Sequence, residues 1–99
     1  MSTADLKPKT DYKFEKPKEY AVVFYNDEYS EMDFVVHLLQ QYFGHDFPTA
    51  NRLMLQVHQE GSAVAGVFSY DVAEHKALRC MEDAKKAGQP LIVMPEALE

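Results

Sequence analysis

The sequence predicts an α+β fold, a two-layer α/β sandwich in the order β-α-α-β-α-β, on three observations. Short runs rich in β-branched and aromatic residues alternate with longer stretches whose apolar residues recur at helical spacing. Each helical stretch opens on a polar or proline start signal. Each is followed by a glycine (Gly44, Gly61 or Gly88), the residue best suited to the left-handed turn that closes a helix. Three strands with three helices pack as a three-stranded, mostly antiparallel sheet with the helices on one face.

The first strand is expected at Tyr20-Ala21-Val22-Val23-Phe24-Tyr25, and Asn26-Asp27 ends it. Ser30 with Asp33 three residues on resembles a capping box. Phe34, Val35, Leu38, Leu39, Tyr42 and Phe43 then form one apolar stripe up to Gly44. The second helix is expected to start near Pro48, where a missing N–H donor does no harm, and to bury Ala50, Leu53, Met54 and Val57. Ala63 to Phe68 reads as the second strand, with Gly66 permitting a bulge or a close approach. Asp71 is expected to cap the third helix, with Glu74 at the reciprocal position and Ala73, Ala77, Cys80, Met81 and Ala84 inward. Leu91-Ile92-Val93-Met94 is the last strand.

A chain of 99 residues suits one domain, and 46% apolar residues are enough to give it a core. Cys80 has no partner for an internal disulfide, which fits a reducing compartment. With no apolar signal segment at Met1 to Pro8 and no run long enough to span a bilayer, a soluble cytoplasmic protein is expected. His37, His45, His58 and His75 lack metal-ligand spacing, so neither a metal nor another cofactor is expected.

The net charge of −6 is unevenly spread. Residues 1–18 hold five lysines against three acids, whereas residues 19–99 hold five basic residues against thirteen acids. So acidic a folded part repels phosphate backbones, which argues against nucleic-acid binding. It suits a partner that presents positive charge, such as a peptide's α-amino group. Residues 1–18, with the islands Lys7-Pro8-Lys9 and Lys16-Pro17-Lys18, read as an extended leader, either passive or a tether engaged by a partner. Residues 19–99 read as the single folded domain.

The chemistry available to this chain is recognition. Asn26 and Asp27 lie at a strand-to-helix junction, where such residues usually serve turns and caps, and on pattern alone that is the better reading. The alternative is an amide carbonyl and a carboxylate facing a cavity, both acceptors suited to an –NH3+ group. His58, at the edge of the second helix's apolar stripe, is a candidate third acceptor. A protonated imidazole would repel ammonium, so that role implies weaker binding in acid. Met32, Val35, Met54 and Val57 are candidates for the apolar wall behind these groups, the thioethers adapting to bulky ligands. Asp27 and His58 also invite a hydrolase reading, but no Ser or Cys is evidently placed as a nucleophile.

The run Asn26-Asp27-Glu28-Tyr29-Ser30-Glu31-Met32-Asp33-Phe34-Val35 resembles the NDDYTPMEFV signature of the ClpS family. Leu53 to Gly61 is similar to the family's second motif, and Gly66-Val67-Phe68 with Asp71 to Lys76 to its third. The resemblance runs from about Tyr20 to Met94, with the motifs in family order and spacing. It implies a non-enzymatic, monomeric adaptor that binds N-degrons beginning with Leu, Phe, Tyr or Trp. Such an adaptor docks on the N-terminal domain of a ClpA-type AAA+ unfoldase and delivers substrates to the Clp protease.

The resemblance also implies site residues. Asn26, Asp27 and His58 would hold the substrate's α-amino group, and Ser30, Met32, Val35, Met54, Val57 and Leu91 its side chain. Met32 matches a gate position that excludes β-branched residues, and Asp71, Glu74 and Lys76 match the unfoldase-docking surface. The leader would serve substrate delivery, although it shows no family motif. Within the signature, Glu28 and Ser30 are mild changes. Glu31 stands where the family has proline and loses that residue's preset φ. The rival reading is a module that docks on an unfoldase and inhibits other substrates without reading N-termini.

Overall fold

A computed structural model describes residues 17–98 of the protein. The expected leader, residues 1–18, lies outside the described residues except for Pro17 and Lys18. The elements run β1 (Tyr20–Tyr25), α1 (Met32–Phe43), α2 (Phe47–Glu60), β2 (Ser62–Phe68), α3 (Tyr70–Lys86) and β3 (Ile92–Ala97). This is the predicted α+β order. The sheet order is β2-β1-β3, and both pairings are antiparallel.

Strand alternation decides which side chains meet the helices. Phe24 faces Ala63 on one side and Val93 on the other, and all three are buried in the core. Their neighbours in the chain point the opposite way. Val23 pairs with Val64 and Met94, and those two remain 45% exposed. The core is therefore one layer between sheet and helices, centred on Val22, Phe24, Leu38, Leu39, Cys80 and Val93.

The helical stripes fall as expected. Ala50, Leu53, Met54 and Val57 are buried on α2, and Ala73, Ala77, Cys80 and Ala84 on α3, with Met81 packed partly against the core. On α1 the buried set is Val35, Val36, Leu38 and Leu39, while Phe34, Tyr42 and Phe43 pack at its margin. Val36 is an addition to the predicted stripe. The pairing shifts register between Val22 and Val23, where Gly66 lies opposite Val22. A Cβ on Gly66 would come within 2.7 Å of the Phe68 ring, so glycine lets the bulge and the ring share that space.

Helix ends divide into expectations met and expectations corrected. The three glycines adopt positive φ of 68°, 97° and 70°, as helix closure requires. The Ser30/Asp33 capping box does not form: Glu31 occupies the N-cap of α1, and no side chain caps it there. The helix begins later than the pattern suggested, so Ser30 falls outside it. Asp71 likewise lies in the first turn of α3, and Ser69 takes the N-cap position without a side-chain bond. Tyr70 instead donates its hydroxyl to Glu74 Oε2 at 2.9 Å. Strand β3 extends to Ala97 because the sheet edge tolerates Pro95, whose missing donor breaks no ladder there.

One cap is complete. Asp46 Oδ1 accepts from the Thr49 amide at 2.9 Å, and Pro48 lies in the same first turn. That amide bond holds the Asp46 carboxyl below its ordinary value. Asp46→Ala is expected to lower Tm at neutral pH by about 5 °C. Because the folded-state pKa is depressed, the cap's stabilisation is present above the unfolded carboxyl pKa and lost as pH falls through the folded one. Thermal melts from pH 7 downward check this; a gap between parent and variant that persists undiminished in strong acid would contradict it.

Candidate functional site

Four segments converge at the end of the sheet where β1 stops. The Asn26 amide donates to the Gly61 carbonyl at 2.9 Å, which ties the strand's exit to the turn between α2 and β2. This bond brings the last turn of α2, with His58, beside the Asn26-Asp27 junction. The start of α1 supplies Met32 and Val35, and Leu91 enters just ahead of β3. Together they enclose a cavity of about 330 Å³.

All nine residues expected in the pocket line this cavity: Asn26, Asp27, Ser30, Met32, Val35, Met54, Val57, His58 and Leu91. Tyr25 and Glu28 line it too and were not anticipated. Their signal was weak but present, since both flank Asn26-Asp27 in the same junction. The wall is apolar, with Val35, Met54, Val57 and Leu91 all buried, while Met32 stands 42% exposed at the mouth. Asn26 and His58 are exposed on the rim, and Asp27 and Ser30 are half-buried.

Asp27 does two things at once. Its Oδ1 accepts from the amides of Tyr29 and Ser30 at 2.8 and 2.7 Å, an Asx-type turn that shapes the junction. Asp27 Oδ2 and Ser30 Oγ are both buried and make no hydrogen bond. Burial pushes the Asp27 carboxyl up, but the Ser30 hydroxyl nearby and the two amide donors outweigh it and hold the group below its ordinary value. The result is an ionised carboxylate that presents one unpaired oxygen in a half-buried setting. Such an atom carries a desolvation penalty that a donor would relieve. Asp27 thus builds the turn through Oδ1, while Oδ2 remains without a donor.

Asp71, Glu74 and Lys76 do not line the pocket; they lie on the first turns of α3. Asp71 and Glu74 are exposed. Lys76 donates to the Tyr42 carbonyl at 2.6 Å and sits over the Phe43 and Phe68 rings, so its ammonium is shared with the fold's interior edge. Among the described residues no cluster of His, Cys, Asp or Glu is arranged to hold a metal, and no helix is long and apolar enough to cross a membrane. Burial pushes the Cys80 thiol up to about 12, leaving no thiolate for nucleophilic chemistry at neutral pH.

Comparison with known proteins places the chain in one family. Residues 15–94 match the family model described as ATP-dependent Clp protease adaptor protein ClpS. A Leptothrix cholodnii protein named ATP-dependent Clp protease adapter protein ClpS is 47% identical over 77 residues, covering 78% of this chain and 67% of its own. A Caulobacter protein of the same name is 42% identical over 87 residues, 88% of this chain and 76% of its own. Among solved structures, that of Agrobacterium tumefaciens ClpS2 bound to L-phenylalaninamide superposes with a TM-score of 0.81 at 38% identity. It covers 83% of this chain and 99% of that one. The chain belongs to the ClpS family, the adaptors of the ATP-dependent Clp protease.

Proposed function

We propose that this adaptor reads protein N-termini, binding a free α-amino group followed by a bulky apolar side chain (Leu, Phe, Tyr or Trp) and delivering the bearer to a Clp AAA+ unfoldase. The observation that carries this reading is the unpaired, buried Asp27 Oδ2 at the rim of an apolar cavity. An ammonium group is purely a donor, and Asp27 with the Asn26 carbonyl and His58 offers it acceptors. The cavity of about 330 Å³ behind them suits one large side chain. L-phenylalaninamide, held by the Agrobacterium relative, has this chemistry: a free amine beside a benzyl group.

Magnitudes agree with a delivery role. Burying a Leu or Phe side chain contributes about 1.5–3 kcal/mol. Each hydrogen bond to a charged group adds roughly 1.5–3 kcal/mol. A few such terms, less the cost of association, give micromolar to high-nanomolar binding, tight enough to capture and loose enough to release. Residues 19–99 act as one monomeric adaptor domain in the cytoplasm. Asp71, Glu74 and Lys76 form the surface that meets the unfoldase, and residues 1–18 serve as the delivery tether.

The test is fluorescence anisotropy with labelled peptides that differ only at the first residue: Leu, Phe, Ile, Ala and N-acetyl-Phe. Leu and Phe peptides are expected to bind, Ala to bind poorly, and acetylation of Phe to abolish binding by removing the ammonium. Equal affinity for Phe and N-acetyl-Phe peptides would end the amine-reading proposal.

A further inference from the structure

Glu31 stands where the ClpS signature carries proline, and the change creates a backbone N–H that proline lacks. In the structure this donor is not left to solvent. It reaches Gln89 Oε1 at 2.7 Å, across 58 residues of sequence. Gln89 lies in the loop between α3 and β3, and its own backbone is firmly held. Its amide donates to the Ala84 carbonyl at 2.8 Å, while the Gly88 amide donates to Lys85 at 3.2 Å, closing α3. Pro90 then restrains Gln89 to extended backbone. The side-chain carbonyl is thus presented from a fixed base.

The positions at either end of this bond matter. Glu31 directly precedes Met32 at the pocket mouth, and Gln89 lies two residues before Leu91 in the pocket wall. We infer that Gln89 is a specificity-positioning residue: by holding the Glu31 peptide it clasps the gate to the wall and sets where Met32 stands over the cavity. This rests on the pocket being a receptor for N-terminal residues. The clasp does by hydrogen bonding what a proline ring does by fixing φ. Glu31 has φ −77° and ψ 139°, a conformation proline adopts without strain.

That equivalence supplies the test. Binding of Leu- and Ile-initiated peptides is compared for the parent, Gln89→Ala, Glu31→Pro and the double variant, with amide exchange at residue 31 followed by NMR in the first two. In Gln89→Ala the Glu31 amide is expected to exchange several-fold faster. The preference for Leu over Ile falls about three- to tenfold, the scale of one hydrogen bond. Tm stays close to the parent's. Glu31→Pro keeps the parent's preference, and adding Gln89→Ala to it changes little, because the donor is gone and φ is set by the ring. Unaltered exchange at Glu31 overturns the clasp. So does a preference for Leu that survives Gln89→Ala, or one lost equally in the proline background. If the parent binds no Leu peptide at all, the N-terminal reading fails, and the gate role of Gln89 fails with it.

Discussion

Asp27→Asn is expected to weaken binding of Leu- and Phe-initiated peptides about 10- to 150-fold at neutral pH while leaving the fold intact. The range corresponds to one hydrogen bond to a charged group, about 1.5–3 kcal/mol. Asparagine is more telling than alanine. Asp27 Oδ1 organises the junction through the Tyr29 and Ser30 amides, and an asparagine carbonyl can keep both bonds. What asparagine changes is the second oxygen, which becomes an NH2 donor facing the incoming ammonium. Asp27→Ala removes the turn acceptor as well, so it should bind at least tenfold more weakly than the parent and also lose some stability. Anisotropy titrations beside thermal melts separate the two effects. A folded Asp27→Asn variant with the parent's affinity would show that the buried oxygen plays no part in capture.

The different settings of the two Asp27 oxygens explain why the candidate site was only partly legible in the sequence. Local chemistry favoured a turn, and the turn exists. The other oxygen is buried in a junction closed by long-range contacts, among them the Asn26 amide donating to the Gly61 carbonyl, which no local pattern announces. Strand and helix positions were easier, since the β-branched and aromatic run at Tyr20–Tyr25 and the glycine at each helix end are local signals. Caps failed where several polar residues competed. Ser30 was expected to open α1, but its amide is taken by Asp27 three residues earlier, the next amide, of Glu31, is taken by Gln89, and Glu31 holds the N-cap. Leu91 came to the pocket from family resemblance; the residue pattern placed it in the last strand, which begins one residue later, at Ile92. Gln89 had no local signal, because its partner is 58 residues away.

Met32→Ala is expected to bring peptides beginning with Ile or Val, which the parent is expected to exclude, to within about tenfold of the Leu peptide. Met32 is the first residue of α1, so its backbone is fixed by the helix while its side chain leans over the cavity mouth. The Leu side chain branches at its γ carbon, leaving a slender β position to pass the gate. Ile and Val carry a second heavy atom on the β carbon, just where the side chain enters. Truncating the thioether opens room at that level without disturbing the deeper wall of Val35, Met54, Val57 and Leu91. Because Met32 is 42% exposed, the truncation should cost little stability, unlike a deletion in the packed core. Leu peptides should lose only modest affinity, since the surface they bury is mostly on the unchanged wall. Titrations of Leu, Ile and Val peptides against both proteins decide the matter. If Met32→Ala still rejects Ile and Val while binding Leu, selectivity lies deeper, in Val35 or Met54, and Met32 is not the gate.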